Sequence, residues 1–153
     1  MAVATWVGLG THTRDPKEIA DSVLASLLPL PTSASDSRLM RKHWDDMFLR
    51  DGWVRGLAVG SGRLSIGYSR GQIGLCIQLG NTSRVYADLL KLETLYRCKA
   101  MDTAVLVVPS DEYSRSLGTN YAMFSRAELD INDFAPTITV PIVLVSIDNR
   151  RRG

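Results

Sequence analysis

The sequence predicts an α/β protein in which a mixed β-sheet is flanked by helices. Apolar residues recur at helical spacing near the N-terminus and again after Arg84. Between those stretches, over residues 53–79, the apolar period drops to two, as in half-buried strands. Residues 103–108 then form a short unbroken apolar run behind a helix. That fits a buried strand reached by a crossover, and hence a parallel pairing. A chain of 153 residues has room for a single domain over 1–153. It divides into N-terminal helices over 15–50, a core over 53–148 and a basic tail over 149–153.

Asp15-Pro16-Lys17-Glu18 reads as a helix start: Asp15 at the N-cap, Pro16 at the first position, and Glu18 placed to complete a capping box. Ile19, Val23, Leu24, Leu27 and Leu28 form one stripe, and Pro29 and Pro31 end it. After a polar linker, a second helix is expected over 36–50. It carries Leu39, Met40, His43, Trp44, Met47 and Phe48 along one side, with Gly52 as its stop. Strands follow over 53–59, 63–69 and 72–79, joined by the turns Gly60-Ser61-Gly62 and Arg70-Gly71. By residue type, Leu64, Ile66 and Tyr68 share a face with Ile73, Leu75, Ile77 and Leu79. Ser65, Gly67, Gly74, Cys76 and Gln78 make the other. Asn81, Thr82 and Ser83 supply cap chemistry for a helix over 84–99 with Val85, Leu89, Leu92 and Tyr96 inward. Beyond the 103–108 strand, 109–120 reads as loop and 121–129 as a short helix. Residues 137–147 read as a β-branched strand in which Pro141 argues for an edge or a bulge.

Composition narrows the function classes. Hydrophobic residues make up 45% and charged residues 22%, as in ordinary globular proteins. No apolar stretch approaches the roughly 20 residues that span a bilayer, so no membrane association is expected. Residues 1–9 lack the basic start of a secretory signal, which points to a cytoplasmic protein with reduced thiols. Cys76 and Cys98 are too few for a disulfide scaffold or a four-cysteine zinc site, and the chain has no HxH, CxxC or HExxH motif. Neither Gly8-Leu9-Gly10 nor Gly60-Ser61-Gly62 continues into Gly-Lys-Ser/Thr, so both read as turns. The net charge of +2 drives no strong global field. Arginine nevertheless supplies 14 of the 18 basic residues, and its planar fork suits phosphate and guanine; codon bias in a GC-rich genome is the simpler origin of that skew. Arg150-Arg151-Arg152 reads either as a phosphate contact or as a solvated end.

The stretch Leu64-Ser65-Ile66-Gly67-Tyr68-Ser69-Arg70-Gly71-Gln72-Ile73-Gly74-Leu75-Cys76-Ile77-Gln78-Leu79-Gly80-Asn81 resembles the catalytic hairpin of BglII-type restriction endonucleases, of the PD-(D/E)XK superfamily. That hairpin reads Glu-Ile-Asp, a short turn, an apolar pair, then Glu-x-Glu or Glu-x-Gln before an Asn-rich loop. The likeness continues through Arg84-Val85-Tyr86-Ala87-Asp88-Leu89-Leu90, the strand from Ala104 to Pro109 and the final strand. It implies a restriction-endonuclease-like (PD-(D/E)XK) mixed sheet flanked by helices, with 53–148 as the catalytic-type core. In the family, two carboxylates hold Mg²⁺, which activates water and neutralises charge on the scissile phosphate. A third group two residues on orients that water. Here the Asp position is Gly67, the first Glu position is Cys76, and Gln78 alone survives in the water-orienting place. The catalytic set is therefore not intact, and no metal ligands and no cofactor are expected; Mg²⁺ enters only if nuclease activity is retained. Asp88, Glu93 and Asp102 are the acids available as substitutes, each with a plainer reading as a surface or helix-pairing residue.

Other side chains divide in the same way. Cys76 could act as a thiol nucleophile only beside His12 or His43, the two histidines of the chain; a small side chain filling a vacated acidic pocket is the plainer account. Arg63, Ser65 and Arg70 flank the hairpin site. Arg84 either binds phosphate together with free N–H groups at a helix start or pairs with Asp88 one turn on. Arg115 and Asn120 suit guanine and adenine edges, although Asp111 and Glu112 beside them oppose phosphate. The resemblance thus implies a catalytically inactive relative that binds double-stranded DNA as a homodimer without cutting it. Trp44, Met47 and Phe48 would form part of the subunit interface. A nuclease scaffold serving as a protein-interaction or regulatory subunit is the second reading, with a protein partner in place of DNA. A Mg²⁺-dependent endonuclease with relocated acids is the third.

Overall fold

The computed structural model describes residues 4–28 and 37–149. Pro29, Pro31, the linker after them, Asp36 and the arginines of the tail lie outside the described residues. Among these residues a six-stranded mixed sheet forms, covered by helices on both faces. The strands are β1 (Ala4–Leu9), β2 (Val54–Val59), β3 (Leu64–Arg70), β4 (Ile73–Ile77), β5 (Thr103–Pro109) and β6 (Ile142–Ile147), in spatial order β1-β6-β5-β4-β3-β2. β4, β5 and β6 run parallel, as the crossover argument requires, while the remaining neighbours pair antiparallel. α1 (Pro16–Leu27) and α2 (Ser37–Arg50) cover one face; α3 (Thr82–Arg97) and α5 (Phe124–Asp133) cover the other. β5 and β6 therefore have no solvated side, and all their residues are buried.

The helix starts follow their caps. Asp15 accepts from Lys17 N at 3.0 Å with Pro16 at the first position, and Asn81 accepts from Ser83 N at 2.9 Å, two residues earlier than the expected start of α3. Met40, Trp44 and Phe48 of α2 face inward. The Phe48 ring stacks on Tyr68 at 4.7 Å and meets Trp53 edge-on at 5.7 Å, while Trp44 Nε1 donates to the Leu27 carbonyl at 3.3 Å. Trp44 and Phe48 thus belong to the interior of one subunit. This corrects their assignment to a subunit interface, and Leu39, expected inward, is exposed.

Several elements differ from expectation. Residues 110–120 do not form a plain loop. Ser110 accepts from Tyr113 N at 3.1 Å and starts α4 (Asp111–Leu117), whose first turn carries Asp111 and Glu112. α5 begins three residues later than 121. The last strand starts only at Ile142 and lies inside the sheet, between β5 and β1. Pro141, with no N–H to give, sits just before it and offers its carbonyl to Ala104 N at 2.9 Å. The edge beside β6 is β1, a strand that the sequence pattern left unmarked. The expected face sharing in β3 also fails: Tyr68 packs with the α1/α2 core, whereas Ile66 packs with the α3/α5 core beside Cys76. The switch falls at Gly67. Opposite it, between the pairs Arg55–Tyr68 and Leu57–Ile66, Gly56 takes φ +78°, a value that favours glycine.

Three residues singled out for chemistry have structural duties. Glu93 is buried, and its carboxylate accepts from Thr139 N (2.9 Å), Thr139 Oγ1 (2.5 Å), Val140 N (2.8 Å) and Arg97 Nε (2.9 Å). Burial alone would push this carboxyl up, but those donors outweigh it and hold the group below the usual glutamate range. Asp102 forms a two-point pair with Arg14, both contacts at 2.8 Å, and accepts from Thr103 Oγ1 at 2.9 Å. It lies at the start of β5, whereas Gln78 N bonds to Val107 O, about 16 Å of strand away. Neither acid can stand in beside Gln78. Arg70 donates to Ser22 Oγ at 2.7 Å and to the Asp51 carbonyl at 3.3 Å, and lies 4.7 Å over the Trp53 ring, tying β3 to the helical face.

Two stability outcomes follow. Phe48→Ala removes a wholly buried ring and is expected to lower unfolding free energy by about 3–5 kcal/mol in denaturant titrations. Glu93→Gln should cost about 2–3 kcal/mol at neutral pH, because the new amide N–H groups face donors. The ionised Glu93 stabilises the fold above the usual carboxylate range, and that contribution is lost as pH falls through its depressed folded value. The acid limb of the melting-temperature profile should therefore be shallower in the variant.

Candidate functional site

β3 and β4 bring Gly67, Cys76 and Gln78 together, and α3 adds Asp88. Gln78 sits just past the end of β4, where the chain leaves the buried sheet. Its amide is fixed at both ends: Oε1 accepts from Gly80 N at 3.0 Å, and Nε2 donates to Asp88 Oδ2 at 2.8 Å. Asp88 is buried, with Lys91 Nζ 3.8 Å from its other oxygen. Burial pushes its carboxyl above the usual aspartate range, against the pull of Gln78, Lys91 and Arg84. Its direct contacts are Gln78 and Lys91; Arg84, for which the sequence leaves pairing with Asp88 as one of two readings, acts on it through charge.

Cys76 is buried on the α3/α5 side. Burial, and then the charge of Asp88, push its thiol far up, with the Gly67 backbone N–H working weakly against them. It stays protonated at neutral pH and is a poor nucleophile. Its histidine partners lie elsewhere. His12 contacts the Leu9 carbonyl at 3.0 Å, and His43 rides on α2, across the sheet from Cys76. Gly67 presents only backbone, and a Cβ there would meet the Leu75 carbonyl oxygen at 3.3 Å.

These residues do not fit a Mg²⁺ site. Octahedral Mg²⁺ needs oxygen donors, and the position offers no side chain at 67, a protonated sulfur at 76, an engaged amide at 78 and one shielded carboxylate at 88. Among the described residues, no group of three or more His, Cys, Asp or Glu side chains converges as metal ligands.

Gly67 and Gln78 open instead onto a cleft of about 380 Å³ between α2, the middle of β3 and the end of β4. Met40, Arg41, Trp44 and Asp45 of α2 form one wall; Arg55 of β2 and Arg84 of α3 reach the same space. On the floor, the Tyr68 hydroxyl donates to Asp45, which also lies 3.6 Å from Arg55. Burial pushes the Tyr68 hydroxyl up, followed by the bond to Asp45, while Arg55 and Arg41 act against both. Of the arginines expected near the hairpin, only Arg84 lines the cleft. Arg63 and Ser65 are exposed at and after the β2–β3 turn, and Arg115 is exposed on α4. Asn120 is exposed with φ +63°, and its carbonyl accepts from Thr82 N at 2.7 Å, stitching that segment to the start of α3. Arg41, Asp45 and Arg55 were not singled out from sequence. Arg41 and Asp45 share a flank of α2 one turn apart, but that spacing says nothing of the strand they overhang.

Comparison with known proteins converges on one group. The sequence profile of the family described as restriction endonuclease BglII/BglIII matches residues 15–147. No curated protein matches the chain significantly in sequence. The crystal structure of restriction endonuclease BglII complexed with a DNA 16-mer superposes with a TM-score of 0.75 at 14% identity, covering 99% of this chain and 78% of that one. Free BglII superposes with a TM-score of 0.64 at 14% identity, covering 99% and 82%. With its parallel core, its antiparallel β3–β4 hairpin and α3 seated on that hairpin, the chain belongs to the BglII/BglIII restriction endonuclease family.

Proposed function

We propose that this chain binds duplex DNA as a homodimer on a nuclease scaffold and does not cleave it through a divalent metal. The observation that carries this reading is the hairpin itself, where the family's two carboxylate positions are Gly67 and a buried, protonated Cys76. The DNA half rests on family membership and on the solved complex of BglII with a DNA 16-mer. The dimer is proposed because a two-fold symmetric protein suits a two-fold symmetric duplex site. Among the described residues no helix is long and apolar enough to cross a membrane. Cytoplasmic DNA is the target this proposal names.

The active-nuclease reading draws its support from one contact, Asp88 against Gln78. A single buried carboxylate is half of what Mg²⁺ requires, and Glu93 and Asp102 are held elsewhere. The protein-partner reading leans on Asp111 and Glu112 in the first turn of α4.

A gel shift with mixed-sequence duplex separates these readings. DNA binding should weaken steeply with salt as counterions return to the phosphates, whereas a chain that serves a protein partner leaves the duplex unshifted. Supercoiled plasmid incubated with Mg²⁺ or Mn²⁺ should stay intact. Cutting that disappears in Asp88→Ala would establish the relocated-acid nuclease instead. Sedimentation at micromolar concentration should give a dimer, and a monomer removes that part of the proposal. Cys76→Ala should leave folding and the gel shift nearly unchanged, with a small stability loss of about 1 kcal/mol. Because the folded Asp88 carboxyl titrates higher than the unfolded one, its contribution favours the fold at acid pH and is lost as pH rises through the folded value. Asp88→Asn should therefore melt at or above the native chain at pH 7, the advantage shrinking toward pH 4.

A further inference from the structure

We infer that the cleft beside Gly67 is a metal-independent phosphodiester clamp, in which Arg41, Arg55 and Arg84 take a backbone phosphate of the bound DNA. The inference rests on the DNA reading above and names the residues and chemistry of that site. Three arginines, from α2, β2 and α3, line one cleft against one lining acid, Asp45; Asp45 accepts from the Tyr68 hydroxyl and lies 3.6 Å from Arg55, so that pair offsets one positive charge and the Arg41 and Arg84 charges leave the lining net cationic. A pocket built for a divalent cation carries the opposite sign, since bare carboxylates repel phosphate until the metal arrives. Here the sign is already favourable, and the planar guanidinium fork matches paired phosphate oxygens.

One of the three packs against the turn that leads into α3. Arg84 folds back across Gly80. Its Nη1 lies 3.4 Å, and Gln78 Oε1 2.9 Å, from where a Cβ on residue 80 would sit, so a side chain there would touch Arg84 and push Gln78 aside. Gly67 adds no side chain to the lining. The site thus presents cationic groups above an exposed strand backbone, with Gln78 held still by Asp88 and Gly80.

Fluorescence anisotropy of the full chain with a labelled mixed-sequence duplex tests the clamp. Binding should be retained in EDTA, and added Mg²⁺ should not tighten it. Arg84→Ala and Arg41→Ala should each weaken binding about ten-fold at low salt and make the salt dependence shallower by about one unit of slope. Arg84→Lys should recover part of the loss, and circular dichroism should show each variant folded. If binding requires Mg²⁺, or if the triple alanine variant of Arg41, Arg55 and Arg84 binds duplex as tightly as the native chain, the clamp is overturned while DNA binding stands. A second probe separates the remaining cases: the dinucleotide thymidylyl-thymidine titrated by NMR. Shifts at the Gly67 and Gly80 amides without duplex binding would support the clamp and refute the duplex reading; no shift and no duplex binding would refute both.

Discussion

Strands covered by helices on both faces leave little room for polar side chains: along the parallel pair β5 and β6, only Thr103 and Ser146 carry one. That constraint arranges everything else in this protein. β5 and β6 are buried along their whole length, and β4 is apolar until the chain turns out after Ile77. Polar side chains converge most readily beyond the ends of the buried strands, and Gln78, Gly80 and the start of α3 lie at such an end. Crevices outside the carboxyl ends of parallel strands are the general place for ligands in α/β sheets. The cleft owes its position to the sheet's burial before any of its residues contribute chemistry.

Much of this was legible where periodicity and capping agreed. Asp15 with Pro16, the stripe through Met40, Trp44 and Phe48, and the apolar run of β5 each translate directly into structure. The hairpin frame put Gly67, Cys76 and Gln78 side by side, as the paired strands do. The losses were of two kinds. Local signals were present but outvoted at α4, where Ser110 with two following acids is a helix start that the polar composition disguised as loop. Other features exist only in three dimensions. The face of β3 changes at Gly67, so alternation by type put Ile66 on the wrong side. Arg41 and Arg55 look like ordinary surface charge until α2 is laid beside β3.

The acids show the same division. Glu93, Asp88 and Asp102 were indistinguishable as letters. In the fold one clasps the approach to β6, one orients an amide in the cleft, and one anchors the N-terminal segment through Arg14. Burial with four donors depresses Glu93; burial with fewer compensating partners raises Asp88. The opposite shifts on one helix record how many donors each buried carboxylate meets.

The shielding of Cys76 has a practical corollary. Cys98 is exposed at the end of α3 while Cys76 is enclosed, so the two thiols differ sharply in access. An alkylating reagent will mark residue 98 at once and reach residue 76 only when the hairpin parts from α3. Its slow phase is then an intrinsic clock for local opening at the centre of the scaffold, read without any engineered label.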